Sequence, residues 1–155
     1  MMRLLQYAFL ACALLCSSCK KDKDSVPTIE PAVGIEIADF AGEWRLSAWS
    51  GGTDLDKEIY LRLNADRTFT LYQNIVSHGF ECFNGTFTFD SQSALIRGTY
   101  ANGTPWGGEY IIGALTENSM QWQMVGTGDI ATYTRSVIPD LPLQPASRSG
   151  SVPFL

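Results

Sequence analysis

The stretch that decides the fold is FAGEWRL, which runs from Phe40 to Leu46. Within it a glycine stands two places before a tryptophan, and from Trp44 apolar residues recur at every second position through Ala48. Alternation of this kind is typical of a β-strand with one buried face. Gly42 and Trp44 therefore mark the first strand of an all-β chain, and the residues just before Gly42 can form one helical turn.

Seven further segments with the same alternation follow, and turn-forming residues connect them. They are Ile59–Leu63, Phe69–Leu71, Phe83–Phe89, Ile96–Tyr100, Trp106–Ile112, Met120–Met124 and Ala131–Arg135. No segment offers the crossover helix that parallel strands need. We therefore expect an eight-stranded antiparallel up-and-down barrel over residues 35–138, because closure removes exposed strand edges. A β-sandwich of the same strands is the alternative.

The first residues predict export and lipidation. Arg3 gives a positive start, Leu4–Leu15 is almost wholly apolar, and small residues follow. The apolar run is too short for a membrane span, which needs roughly 20 residues. The sequence Leu15-Cys16-Ser17-Ser18-Cys19 resembles a bacterial lipobox, which implies that residues 1–18 are removed and that Cys19 carries a lipid such as palmitate. An ordinary secretory signal cleaved near the same place is the alternative.

The segments on either side of the barrel are poor in large apolar residues. Residues 19–34 combine charges with prolines, so we expect a flexible tether. The charged start of this tether resembles the export tags of some surface lipoproteins of Gram-negative bacteria, although a plain linker is an equal alternative. Residues 139–155 contain four prolines with serines and a glycine, which predicts a loose tail. The expected location is the outer membrane, on either its periplasmic or its outer face.

The charge of the chain argues against nucleic acid as a partner. Eleven basic residues stand against 16 acidic ones, which gives a net charge of −5. Removal of residues 1–18 would take away only one charge, a positive one. Binding to nucleic acid depends on Lys and Arg neutralising phosphates.

If Cys19 is lipidated, Cys82 is the other cysteine of the mature chain, so we expect no intrachain disulfide.

Two short motifs resemble those of a known family. Gly42-Glu43-Trp44 on the first strand and Tyr133-Thr134-Arg135 on the last are similar to the motifs of the lipocalin-like lipoproteins of the calycin group. The resemblance implies that Gly42, Trp44 and Arg135 are structural residues that close the bottom of the barrel. In that arrangement the guanidinium lies over the indole ring, a contact that contributes about 0.5 to 2 kcal/mol.

The chain departs from the family pattern in two places. Arg67 stands where a glycine is expected after Asp66, which leaves the type of that turn open. No Thr-Asp-Tyr motif of the larger animal lipocalins is present, and the chain is smaller than theirs. The deep ligand cavity of those proteins is therefore not implied.

The residue types that carry catalysis or bind metals are scarce. The single histidine, His78, lies beside Ser77 in a segment predicted to be a solvated loop, so we expect no enzyme activity. Cys82 and His78 lack a third metal ligand, and Cys82 falls on the outward face of its strand. Asp54, Asp56 and Glu58 lack the spacing of a calcium-binding loop. We expect neither a metal nor a cofactor.

The inward face of the predicted barrel is rich in aromatic rings. An eight-stranded barrel is just wide enough to be filled by side chains or to hold one small ligand. Ligand pockets are mostly apolar with a few polar groups. Our first hypothesis is that Tyr100, Trp106, Tyr110 and Trp122, which flank glycine-rich turns, line a pocket for a small apolar or amphipathic molecule.

The second hypothesis is a filled barrel that acts as a surface module for a protein or glycan partner. Its contacts would come from the loops at residues 49–56 and 73–81. Trp49 and Phe80 would be the exposed anchors of those loops.

Overall fold

The computed structural model describes residues 28–51, 57–75, 79–143 and 152–155. Within these residues eight strands form a closed antiparallel barrel, in which each strand pairs with the next and the last returns to the first. The elements are α1 (Ile37–Phe40), β1 (Gly42–Trp49), β2 (Glu58–Leu63), β3 (Thr68–Asn74), β4 (Glu81–Asp90), β5 (Leu95–Tyr100), β6 (Tyr110–Gly113), β7 (Ser119–Met124) and β8 (Ile130–Arg135). The predicted up-and-down barrel is confirmed, and the β-sandwich is wrong.

The short helix α1 covers the end of the barrel where β1 begins, which we call the bottom. The backbone N–H of Glu36 donates a hydrogen bond of 2.7 Å to the Asp39 carboxylate, which caps the helix. Phe40 is fully buried, and its ring centroid lies 4.8 Å from that of Phe89. The helical turn expected before Gly42 is therefore present, and it closes the core from below.

A β-bulge in β1 changes which residues face the core. Leu46 pairs with Tyr133 and Ala48 pairs with Thr132, so Ser47 is an extra residue on β1. Ala48 is consequently exposed, while Trp49 is half-buried against the core. The inward position predicted for Ala48 is wrong, because simple alternation does not anticipate an inserted residue.

Strand β6 is shorter than the sequence predicts, since it begins at Tyr110 rather than Trp106. The backbone N–H of Trp106 still donates to the carbonyl of Gly98, at 2.9 Å, but regular pairing with β5 starts only four residues later. Gly98 has no side chain, and a Cβ at this position would overlap the Trp106 indole. The glycine therefore lets the indole pack on the strand backbone, and Trp106 is buried outside any strand.

The end of the predicted tether is part of the folded structure. Pro31 forms an isolated bridge with Gly113, and the N–H of Ala32 donates to the carbonyl of Ile112 at 2.9 Å. Ile29 is buried. Because Gly113 has no side chain, the backbone of Glu30 can approach it closely. The expectation of a flexible tether is thus wrong for residues 28–34, while residues 19–27, including Cys19, lie outside the described residues.

The predicted loose tail, residues 139–155, also contacts the barrel where it is described. Leu143 forms a parallel bridge with Phe80. Leu155 is buried, and Phe154 packs against the core. The expectation is wrong for residues 152–155, because Phe154 and Leu155 bury apolar surface against the barrel core.

The β2–β3 turn keeps a left-handed residue despite the missing glycine. The N–H of Arg67 donates to the carbonyl of Asn64 at 3.0 Å, and Arg67 has a φ of 67°. A residue with a side chain costs roughly 1 to 2 kcal/mol in this left-handed region. Glycine adopts the region without strain, but the greater freedom of glycine in the unfolded chain offsets part of that advantage. The turn required by the hairpin therefore persists at the expense of local strain.

Arg67→Gly is expected to raise the free energy of unfolding by about 0.5 to 1 kcal/mol, because glycine adopts this φ without strain. Urea denaturation followed by tryptophan fluorescence would measure the change. Arg97→Gly is the matched control, since Arg97 is exposed on β5 and glycine weakens a strand. A variant Arg67→Gly no more stable than the original chain would contradict the assignment of strain to Arg67.

Candidate functional site

The bottom of the barrel is closed by the three residues named by the sequence motifs. The guanidinium carbon of Arg135 lies 4.1 Å from the centroid of the Trp44 ring. Arg135 also donates to the carbonyls of Glu117 and Ala41, at 2.8 and 3.0 Å. Gly42 has a φ of 133°, and a Cβ there would overlap the guanidinium. These contacts join α1, the start of β1 and the end of β8 at the bottom of the barrel.

The interior above this closure contains a group of rings that touch one another. We call Trp106, Tyr110, Trp122 and Tyr133 the ring cluster. The centroid of Trp122 lies 5.9 Å from Trp106, 5.6 Å from Tyr110 and 5.3 Å from Tyr133. All four side chains are buried. The structure therefore brings together three of the four predicted lining residues and adds Tyr133, which the sequence analysis named only in the motif of the last strand.

The fourth predicted lining residue, Tyr100, joins the ring cluster through another ring. Phe69 lies 5.5 Å from Tyr100 and 5.0 Å from Trp106, measured between ring centroids, and both contacts are edge-on. Tyr100 is at the last position of β5, at the end of the barrel opposite Trp44. This end, where β1 finishes at Trp49, is the open end of the strand arrangement.

Two polar atoms of the ring cluster are buried without a hydrogen bond to offset their loss of contact with water. Within the described part of the chain, Trp106 Nε1 and the Tyr133 hydroxyl have no hydrogen-bond partner. Leaving such a group unpaired costs about 1 to 3 kcal/mol. Burial raises the pKa of Tyr110 to about 12 and that of Tyr133 well above its ordinary value. At neutral pH both hydroxyls are therefore protonated, and the cluster presents hydrogen-bond donors to its surroundings.

The open end of the barrel is covered by Val152-Pro153-Phe154-Leu155, which we call the mouth segment. The Phe154 ring packs edge-on against Trp49 with a centroid distance of 5.3 Å. The Tyr100 hydroxyl donates a hydrogen bond of 2.8 Å to the backbone oxygen of Leu155. The Leu155 side chain belongs to the core. Among the described residues, the mouth segment thus covers the interior on the side opposite Trp44.

A buried glutamine holds the backbone of the mouth segment. Gln73 is fully buried near the end of β3, and its Oε1 accepts from the N–H of Phe154 at 2.8 Å. Its Nε2 donates to the carbonyl of Val152 at 3.2 Å and lies 3.4 Å from the Glu81 carboxylate. Sequence reasoning missed this residue. The sequence feature that could have indicated it is a polar residue at an inward-facing position of β3, two places after Leu71.

Two spaces lie beside the mouth segment. A cleft of about 620 Å³ runs between β4, the β5–β6 loop and the segment, and its lining includes Phe83, Asn84, Tyr100, Asn102, Pro105 and Val152. A smaller cavity of about 80 Å³ is lined by Trp49, Tyr110, Met124, Asp129, Ala131 and Phe154. The smaller cavity thus brings Phe154 of the mouth segment and Tyr110 of the ring cluster to the same space.

The predicted surface anchors are not exposed as expected. Phe80 is buried, and its ring centroid lies 6.0 Å from that of Tyr60. Trp49 is half-buried under Phe154. Both side chains pack onto the barrel instead of projecting into solvent, so the anchor prediction is wrong. Cys82 is exposed on β4, which agrees with its predicted outward position.

The remaining candidate residues contribute little to a site. His78, Asp54 and Asp56 lie outside the described residues, and Glu58 is exposed. Across residues 28–51, 57–75, 79–143 and 152–155, no three His, Cys, Asp or Glu side chains are grouped to hold a metal ion. In the same part of the chain, no helix has the length and apolar character needed to cross a membrane.

Comparisons with known proteins give a consistent picture of the fold. A family model described as a lipocalin-like domain matches residues 40–122. The chain is similar to the solution structure of a protein from Bacteroides uniformis, with a TM-score of 0.53 and 21% identity, over 67% of this chain and 94% of that one. It is also similar to the crystal structure of a lipocalin-like protein from the same organism, with a TM-score of 0.51 and 17% identity, over 63% and 99% of the two chains. Among curated proteins, none matches this sequence.

Proposed function

The chain belongs to the lipocalin-like domain family, and from this we propose that it is a lipid-anchored envelope protein whose barrel binds a small amphipathic molecule. The observation that carries the proposal is the pair of buried polar atoms in the ring cluster, Trp106 Nε1 and the Tyr133 hydroxyl. Buried polar groups in native proteins are nearly always paired. A ligand atom that pairs with them would remove the cost of their burial.

The chemistry of the two atoms defines the ligand. An indole N–H is only a donor, and the protonated phenol of Tyr133 can donate as well. The other polar groups of the ring cluster are the Tyr110 hydroxyl and the Trp122 indole N–H, and the latter already donates to Met120 Sδ at 3.3 Å. The favoured ligand therefore has an apolar body and an acceptor oxygen, such as a carboxylate or carbonyl, which is the pattern of a fatty acid or related lipid.

Entry of such a molecule requires movement of the mouth segment. Phe154 lines the same small cavity as Tyr110, so displacement of Phe154 would enlarge the space beside the ring cluster. The closed bottom at Trp44 and Arg135 offers no comparable route. We therefore place the ligand entrance at the open end, between the ends of β1 and β5.

Lipidation at Cys19 completes the proposal. The lipobox-like residues before Cys19 and the charged residues after it support attachment to the outer membrane, on its periplasmic or outer face. We propose a binding role rather than catalysis, because the ring cluster provides neutral hydroxyls and an indole N–H as its polar groups. A filled barrel that binds a protein or glycan partner is the second candidate, and the close packing of the four rings favours it.

Tyr133→Phe and Trp106→Phe are expected to weaken binding of the fluorescent fatty acid cis-parinaric acid by about 5- to 10-fold each. This factor corresponds to one hydrogen bond of about 1 to 1.4 kcal/mol. Tyr133→Phe should leave the free energy of unfolding unchanged or raise it, because it removes an unpaired hydroxyl from the core. Fluorescence titration and urea denaturation would measure the two effects.

Tyr72→Phe is the matched control, since Tyr72 is a tyrosine of β3 that lies outside the ring cluster. Its affinity for the fatty acid should equal that of the original chain. Absence of fatty-acid binding by the original chain, or equal affinity in all three variants, would overturn the proposal in favour of the filled barrel.

A further inference from the structure

We propose that the open end of the barrel is a binding site for an extended apolar peptide, and that the mouth segment is the peptide it holds within this chain. This inference does not rest on the small-molecule proposal, although both ligands would use the open end. It rests on backbone recognition by Gln73 and on two side-chain contacts of the mouth segment.

Gln73 recognises the peptide backbone rather than a side chain. Its carboxamide accepts from the N–H of Phe154 and donates to the carbonyl of Val152, two groups that lie two residues apart. Burying an amide in an apolar interior is costly unless it is hydrogen-bonded. The peptide backbone supplies such bonds, which accounts for a glutamine at a fully buried position of β3.

The side chains of the mouth segment add selectivity. The Phe154 ring packs edge-on against the Trp49 indole with a centroid distance of 5.3 Å, and Leu155 is 3% exposed within the core. The Tyr100 hydroxyl fixes the backbone oxygen of Leu155. An aromatic residue followed by a leucine is therefore the sequence that this site fits.

The strand pairing of the barrel does not include the mouth segment. The eight strands close on one another through the pairing of β1 with β8, and residues 152–155 take no part in that pairing. The cleft of about 620 Å³ continues from Val152 and Pro153 past Asn84 and Asn102, which leaves room for residues beyond the four described. A peptide supplied from outside can therefore take the place of the mouth segment.

The test uses the full chain with Phe154→Ser and Leu155→Ser, which removes the apolar groups of its own mouth segment. A synthetic peptide with the sequence of residues 148–155 is titrated by calorimetry. We expect the double variant to bind this peptide at least about 10-fold more tightly than the unaltered chain, since an attached competitor acts at an effective concentration in the millimolar range. A peptide of scrambled sequence should not bind, and Gln73→Leu in the double variant should weaken binding about 10-fold.

Several results would overturn the inference. A folded double variant that shows no binding at millimolar peptide, or that binds equally well with Gln73→Leu, would exclude a peptide site. If the double variant does not fold, a chain ending at Ser151 takes its place, and failure of both to fold would show that the segment is an integral part of the core. Peptide binding without fatty-acid binding would overturn only the small-molecule proposal, and the reverse result would overturn only this one.

Discussion

Trp44→Ala is expected to lower the free energy of unfolding by about 3 to 5 kcal/mol, the range for removing a large aromatic side chain from a core. Trp44 is fully buried, and its Nε1 donates a hydrogen bond of 2.9 Å to the carbonyl of Phe40. The substitution would leave a cavity, an unpaired carbonyl and an Arg135 guanidinium without its ring. Because domains are stable by only about 5 to 15 kcal/mol, much of the margin would be lost. Urea denaturation would measure the change.

Two controls separate the parts of this effect. Trp44→Phe keeps a ring under Arg135 but removes the indole N–H. It should therefore lower the free energy of unfolding less than Trp44→Ala does, and the loss should correspond to one hydrogen bond and the missing volume. Arg45→Ala changes an exposed neighbour on the same strand and should stay within about 0.5 kcal/mol. A loss below about 1 kcal/mol for Trp44→Ala would mean that the bottom closure is not a main source of stability.

The closure at the bottom of the barrel was predicted through the resemblance of two short motifs to those of the lipocalin-like lipoproteins. Gly42 and Trp44 stand two residues apart in one strand, and Arg135 ends the last strand, which must lie beside the first in a closed barrel. The alternation of apolar residues sufficed for strand number and order. Of the four rings predicted to line a pocket, Trp106, Tyr110 and Trp122 contact one another in the interior, and their binding of a ligand stays a prediction.

The open end was not predictable from such patterns. The inserted Ser47 reverses the alternation of β1, and nothing in composition marks a bulge. Phe154 and Leu155 reach the core from a segment rich in proline and serine, so their burial depends on partners about 80 residues away, such as Gln73. Within the sequence, only the inward-facing position of the polar Gln73 indicated that its carboxamide needs a hydrogen-bond partner from another part of the chain.

The two ends of the barrel therefore differ in kind. At the bottom, Trp44 and Arg135 belong to the strands themselves, so the closure cannot open without breaking the sheet. At the open end, the seal is a segment outside the strand pairing, held by Gln73, Tyr100 and Trp49. Movement in this protein is accordingly expected at the open end, which is where both proposed ligands enter.

Cys19→Ala is expected to shift the protein almost completely from the membrane to the soluble fraction, or to leave it as an uncleaved precursor. The reason is that Cys19 follows Ser17-Ser18 in the lipobox-like stretch and precedes a charged segment. Each buried methylene of an acyl chain contributes about 0.8 kcal/mol to membrane binding, so several chains hold a protein firmly and their loss releases it. Labelling cells with a clickable palmitate analogue, followed by fractionation, would measure both lipidation and location.

Cys82→Ala is the matched control, because Cys82 is exposed on β4 and lies outside the lipobox-like stretch. It should keep full labelling and membrane location. Since the described burial against the barrel begins at Ile29, ten residues after Cys19, the Cys19→Ala chain should also show the unfolding transition of the original barrel. Equal palmitate labelling of the original chain and Cys19→Ala would show that the lipobox interpretation is wrong, and the proposed location on the outer membrane would fall with it.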